Sequence, residues 1–278
     1  MGSIGVDIGG TKISAGFVEN GSLIQSTKIP TPVTNDEMVV IATIINAINE
    51  VWHNNVIAIG VGVPGLVDVE NGIVYDVYNI PSFTDVNLKK ILEDTFNVPV
   101  HLGNDANCFV LGAKKYDNCQ SFKNIVGLTL GTGLGGGIIV NNTLHEGVGS
   151  GAGEFGYIPY LDGILEHYCS GQFFQRKGYA DGQTISDLAA KENKDALRVF
   201  NEFGIHLGEA IKIAAHVFAP EAIILGGSIS KSYKYFEKSM WENIRKFPYR
   251  NVVDKLTVIP TSKPHLAIYG AATLMFQE

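Results

Sequence analysis

The chain has 278 residues, 45% hydrophobic and 18% charged, which supplies ample apolar material for buried sheets and lacks the composition of a disordered chain. Its formal net charge of -7 excludes a sequence-independent grip on nucleic acid, so any phosphate it binds is expected to be held by backbone N–H groups and metal. Cys108, Cys119 and Cys169 form no CxxC pair, which argues against a disulfide framework or zinc knuckle and for a reducing cytoplasm.

No charged leader or long apolar stretch opens the sequence, so a soluble protein without a membrane partner is expected. Three β-patterned runs come first, Ile4 to Ile8, Ile13 to Val18 and Ser22 to Ile29. Gly9-Gly10 separates the first pair and Glu19-Asn20-Gly21 the second. Asn-Gly tolerates the positive φ of a hairpin turn, and a three-stranded antiparallel meander follows. Val40, Ile41, Ile44, Ile45, Ile48 and Val51 recur at helical spacing and predict a helix from about Asp36 to Trp52. The run Val56 to Val63 has no polar alternation, reads as a strand buried on both faces, and ends at Pro64-Gly65. A helix over Asn87 to Phe96, a strand over Val98 to Leu102 and a helix from about Ala106 to Tyr116 complete a first lobe.

From Ile125 the opening pattern repeats. At an ungapped offset of 122 residues, Ile4-Gly5-Val6-Asp7-Ile8-Gly9 falls on Val126-Gly127-Leu128-Thr129-Leu130-Gly131. A long helical stretch (Asp195 to Phe218), a strand (Ala222 to Leu225), a helix (Tyr233 to Phe247) and a strand (Leu256 to Ile259) follow. The expected organisation is two lobes, 1–107 and 108–264, with residues 265–278 forming a final helix that packs back on the first.

Glycine turns mark the candidate chemistry. Asp7 ends a buried strand, Gly9-Gly10 lets backbone approach a ligand closely, Thr11 and Lys12 add donors, and Asp7 is placed to orient a hydrated Mg²⁺. Five glycines lie between Gly131 and Gly137, more than a plain hairpin needs, and point to a phosphate cradle around Gly131, Thr132 and Gly133. Gly226-Gly227 follows a third strand and reads either as an adenine platform or as a tight turn. Asn104 and Asp105 stand where a strand turns into a helix; Asp105 is a candidate proton acceptor, and either residue is equally a candidate N-cap. Glu154 and Glu166 suit paired recognition of vicinal hydroxyls. His145 and His167 lack partners at metal spacing and read as structural or solvent-facing.

As an ordered set these motifs resemble the ROK family of sugar kinases and related repressors, over essentially the whole chain. The residues that carry the resemblance are Asp7 to Lys12, Gly62-Val63-Pro64-Gly65, Tyr78-Asn79-Ile80-Pro81, Gly103 to Asn107, Gly131 to Gly137, Ala152 to Gly156, Leu165-Glu166 and Leu225-Gly226-Gly227. The resemblance implies an α/β, actin-like ATPase (ribonuclease H-like) duplicated fold, two lobes with a central cleft. It further implies ATP-dependent phosphorylation of a hexose 6-hydroxyl, with glucose first and N-acetylmannosamine, N-acetylglucosamine and fructose as alternatives. Asp105 becomes the general base, and Gly65, Asn79, Asn104, Asp105, Glu154 and Glu166 touch sugar. Asp7, Gly9, Gly10, Thr11, Lys12, Gly131, Thr132, Gly133, Gly226 and Gly227 surround ATP, with Mg²⁺ on Asp7 through water. A homodimer is expected.

Two departures matter. Tyr157 stands where family members carry a His that serves both a structural zinc and the sugar, and it is carried over as a candidate sugar contact. The cysteine-rich zinc hairpin between Glu154 and Glu166 is missing, so no zinc is expected, and Ile158 to Leu165 is expected to pack through Tyr157, Tyr160 and Leu161. The rival reading is a non-catalytic, sugar-responsive regulator. Family repressors resemble the kinases with an added N-terminal winged helix, for which the position of Asp7 leaves no room.

Overall fold

Residues 1–75, 77 and 79–277 are described by a computed structural model; Tyr78 of the Tyr78-Asn79-Ile80-Pro81 motif and Glu278 of the expected last segment lie outside them. The chain divides into two compact units, Met1–Ser121 with Thr143–Ala152 and Lys263–Glu278, and Phe122–Asn142 with Gly153–Ser262. No helix among the described residues is long and apolar enough to cross a membrane.

Unit 1 opens with the meander β1 (Gly2–Ile8), β2 (Lys12–Glu19) and β3 (Ser22–Pro30). The second turn is made by Asn20 at φ 50° and Gly21 at φ 75°, the conformation for which Asn-Gly is suited. Helix α1 (Glu37–Glu50) starts at Asp36, whose carboxylate accepts from Met38 N–H at 2.9 Å, and buries Val40, Ile41, Ile44, Ala47 and Ile48. Strand β4 (Val56–Val63) pairs in parallel with β1. A small antiparallel sheet of β5 (Leu66–Asp68), β6 (Ile73–Tyr75) and β7 (Asp85–Val86), unforeseen in the sequence, precedes α2 (Leu88–Phe96). Strand β8 (Val100–Asn104) begins two residues later than expected and runs into α3 (Asp105–Tyr116). The main sheet has the order β3-β2-β1-β4-β8. Helix α3 belongs to unit 1, so the division expected after residue 107 falls inside a continuous helix, and the chain leaves the unit after Ser121.

Unit 2 repeats the plan. Its hairpin β9 (Ile125–Leu130) and β10 (Leu134–Val140) is followed by β11 (Thr143–Leu144), counted with unit 1, and then by a two-stranded hairpin, β12 (Pro159–Tyr160) and β13 (Gly163–Ile164). Short helices α4 (Glu166–Cys169), α5 (Gly171–Arg176) and α6 (Gly182–Ala190) lead to the long α7 (Lys194–Phe218). Strand β14 (Ala222–Gly226), α8 (Tyr233–Ile244), α9 (Arg250–Val253) and β15 (Thr257–Pro260) complete it, and the sheet of the unit runs β10-β9-β14-β15. Asp7 of β1 pairs with Gly62 of β4, as Thr129 of β9 pairs with Gly226 of β14, so the 122-residue offset between Asp7 and Thr129 also relates positions in the two sheets.

The chain end returns to unit 1 as α10 (Leu266–Ala271), shorter than the expected 265–276 helix and followed by a 3₁₀ turn, Leu274–Phe276. Its backbone lies directly on glycines. A Cβ on Gly5 would strike the Ile268 carbonyl, one on Gly60 the Ala271 carbonyl, and one on Gly112 the Leu266 carbonyl. Ile268 and Ala272 pack with Val18, while Ala271 and Leu274 pack with Cys108 and Leu111 of α3. Close backbone approach of this kind is open only to residues without a side chain.

Candidate functional site

In unit 1 the turn after β1 is closed by Gly9 N–H donating to Lys12 O at 2.9 Å and braced by the Thr31 hydroxyl donating to Gly9 O at 2.6 Å. Thr11 and Lys12 are exposed at its tip. Asn79 rests against the turn: a Cβ on Gly10 would lie 2.5 Å from that of Asn79, so Gly10 brings a predicted sugar residue next to a predicted phosphate turn. Burial raises the Asp7 carboxyl above the usual carboxylate range, and the Lys12 ammonium offsets part of that rise. A desolvated carboxylate with partial compensation fits a hydrated Mg²⁺, which takes one or two carboxylates alongside phosphate oxygens and water.

Asn104 is the N-cap of α3. Its Oδ1 accepts from Ala106 N–H at 2.9 Å and Asn107 N–H at 3.2 Å, while its Nδ2 donates to Gly65 O at 3.2 Å, where Gly65 turns at φ 86°. Asp105 is then the first helical residue, half-buried, with Oδ1 accepting its neighbour Ala106 N–H at 2.8 Å. Gly62 of β4 faces this start, since a Cβ there would lie 3.1 Å from Cys108 Sγ and 3.5 Å from Asp105 Cα. Burial, and then the charges of Asp105, Asp7 and Glu146, push the Cys108 thiol well above its usual range. Burial above all, with these carboxylates adding to it, keeps Cys108 a neutral thiol. Glu146, itself raised by burial, is absent from the motifs read in the sequence, because nothing in its local pattern distinguishes it from a loop glutamate.

Unit 2 gathers a second set. Gly227, at φ 84°, leaves no room for a Cβ beside Leu130 O, so the Gly226-Gly227 turn lies against the end of β9. Gly171 N–H donates to Gly131 O at 2.8 Å, joining the start of α5 to the glycine loop. Glu166 is bonded to the same loop through Leu134 N–H at 3.0 Å, and a Cβ on Gly133 would fall 2.5 Å from Glu166 Oε2. Not every glycine of the loop is there for a ligand, however. Gly136 is packed against Gly153 O and Phe155, whereas Gly131 has open space where a side chain would stand and Thr132 is exposed. Glu154 is exposed, and its carboxyl is raised by desolvation and by the charge of Glu166; two residues on, a Cβ at Gly156 would lie 3.5 Å from Glu166 Oε2.

The shortened segment packs differently from expectation. Tyr157 and Leu161 are 66% and 70% exposed, whereas Tyr160 is half-buried and Leu165 fully buried. The cause is the hairpin geometry: Tyr160 ends β12 pointing inward, whereas Leu161 occupies the turn at φ 52°. Tyr160 Oη lies 3.0 Å from His206 Nδ1 on α7, and Tyr168 stacks edge-on to Tyr160 at 5.2 Å while donating to Asp162. Burial pushes Tyr160 up to about 12 and lowers His206, which favours the neutral form of both rings at this contact. His145 is exposed and His167 lies over Gly163; no cluster of three or more His, Cys, Asp or Glu among the described residues could hold a metal ion.

Two α/β sheets with matching strand order, each ending in glycine turns, define the actin-like ATPase fold. The chain belongs to the ROK family, whose model matches residues 3–278. It is 34% identical over 265 residues to a glucokinase of Streptomyces coelicolor, covering 82% of each chain. A glucokinase of Thermotoga maritima is 32% identical over 305 residues, with 98% of this chain and 96% of that one covered. Among solved structures, a ROK family glucokinase from Streptomyces griseus in complex with glucose and AMPPNP matches with a TM-score of 0.85 at 28% identity over 99% of both chains.

Proposed function

We propose that this protein is an ATP-dependent sugar kinase that phosphorylates the 6-hydroxyl of a hexose, glucose first. Family membership and the similarity to glucokinases support the sugar kinase reading. The observation that carries the chemistry is Asp105, a half-buried carboxylate fixed at the start of α3 beside the capping Asn104. As general base it takes the proton of the attacking hydroxyl while the phosphoryl group leaves ADP. Gly65, Asn79, Asn104, Glu154, Tyr157 and Glu166 contact the sugar in this reading, and Asp7, Gly9, Gly10, Thr11, Lys12, Gly131, Thr132, Gly133, Gly226 and Gly227 the nucleotide. Asp7 would hold Mg²⁺ through water, and the ion would supply neutralisation of phosphate charge. The enzyme works as a homodimer in the cytoplasm.

The sugar is the open variable, because N-acetylmannosamine, N-acetylglucosamine and fructose carry the same kind of primary hydroxyl. A coupled ADP-release assay across those three and glucose is expected to rank glucose highest by kcat/KM; glucose in last place overturns the substrate, and no sugar-dependent ADP release overturns the kinase.

Zinc has no part in this proposal. Protein purified without chelator is expected to contain far less than one equivalent of zinc by elemental analysis, with the Tyr160–His206 contact holding the shortened hairpin to α7 instead. Stoichiometric zinc is the contrary result.

A further inference from the structure

Glu166 is held at both ends of its carboxylate. Oε2 accepts from Leu134 N–H at 3.0 Å, and Oε1 accepts from the Gln172 side-chain amide at 2.7 Å. Neither bond is an accident of a flexible surface. Ser170 donates its hydroxyl to Glu166 O at 2.7 Å and accepts Gln172 N–H at 3.2 Å, so one serine sets the backbone positions of both partners. Gly171 N–H, between them, donates to Gly131 O. The elbow from α4 to α5 is thereby tied to the glycine loop twice, once through backbone and once through the Glu166 carboxylate.

The chemistry of the donor matters. A carboxylate has about four acceptor sites, so one bond on each oxygen fixes its plane and leaves a lone pair on each for a ligand hydroxyl. The bond to Oε1 needs a side-chain N–H of this reach. Glu154 is a second carboxylate two residues before Gly156, where a Cβ would lie 3.5 Å from Glu166 Oε2, so Glu166 needs a restraint against turning away from it.

We infer that Gln172 is a positioning residue for sugar recognition, aiming Glu166 at the sugar hydroxyls, and that the bond from Leu134 N–H passes sugar occupancy on to the glycine loop that holds phosphate. This rests on the kinase reading above. Loss of one hydrogen bond to a charged group corresponds to about a 10- to 100-fold change in an equilibrium constant.

The test uses the whole protein and the best of the four sugars in the ADP-release assay. Gln172→Leu is expected to raise the sugar KM about 10-fold or more, to change kcat less than about 3-fold, and to weaken the tightening of AMPPNP binding that sugar produces. Gln172→Lys, which keeps an N–H donor of similar reach, is expected to restore much of the sugar KM. If Gln172→Leu does not fold, Gln172→Asn, too short to reach Oε1, is compared with Gln172→Lys in its place. A sugar KM within about 2-fold of the parent in the donor-lacking variant, or kcat and KM impaired alike with no rescue by Lys, overturns the role of Gln172. Failure of the unsubstituted protein to phosphorylate any sugar is a different result and removes the kinase reading instead.

Discussion

Asp105→Asn is expected to lower kcat by about 10²- to 10⁴-fold while leaving the sugar dissociation constant within about 3-fold of its original value. The substitution is nearly isosteric, and an Asn at this position still accepts the Ala106 N–H that Asp105 Oδ1 now accepts. Losing a negative charge at the first residue of α3 costs about 0.3–1 kcal/mol of favourable interaction with the helix N-terminus, too little to unfold the unit. Proton acceptance is what the variant lacks. Asn79→Ala is the useful contrast, because a residue that only contacts sugar is expected to raise KM and spare kcat. Single-turnover rates with saturating ATP and sugar separate the two, and near-normal turnover in Asp105→Asn removes that carboxylate from the mechanism.

The second large effect is structural. Gly60→Ala is expected to destabilise the protein by about 3 kcal/mol or more, and to lower Tm by roughly 6 °C or more. Gly60 lies inside β4 at an ordinary strand conformation, so the penalty comes entirely from the Ala271 carbonyl that a new Cβ would strike. That carbonyl belongs to a helix whose neighbouring turns also rest on Gly5 and Gly112, which leaves α10 no direction in which to yield. Gly131→Ala makes the matched control, since nothing stands within 4 Å of its added methyl. Scanning calorimetry of the two variants measures the difference, and equal midpoints would show that α10 adapts freely.

The regular parts of the fold were legible because they rest on local signals. Asn20-Gly21 specified a hairpin, and the helical spacing from Val40 to Val51 marked α1 to within a few residues of its observed ends. The 122-residue repeat placed Thr129 on Asp7 before any strand pairing was available. What escaped depends on partners distant in sequence. The strands from Leu66 to Val86 are two or three residues each, too short to show alternation. Tyr157 and Leu161 were expected to pack in place of the missing zinc hairpin, but a turn conformation at Leu161 decides its direction. Within the candidate site, the glycine turns and Asn104-Asp105 stood out. Gln172 did not, because Ser170 breaks the helix between it and Glu166 and no helical period links them. The five glycines of the loop carry one signal in the sequence, yet Gly136 is packed against Gly153 O and Phe155, which leave no room for a side chain there.

The seat of α10 also sets an order of assembly. Unit 1 joins residues 1–121 to residues 263–278, whereas the segments of unit 2 are nearly contiguous. During synthesis the surfaces over Gly5, Gly60 and Gly112 stay uncovered until residue 271 has left the ribosome. Every residue of unit 2 is therefore made before unit 1 can close. Until then unit 1 is an incomplete domain whose glycine-lined seat for α10 is open to chaperones and to other chains.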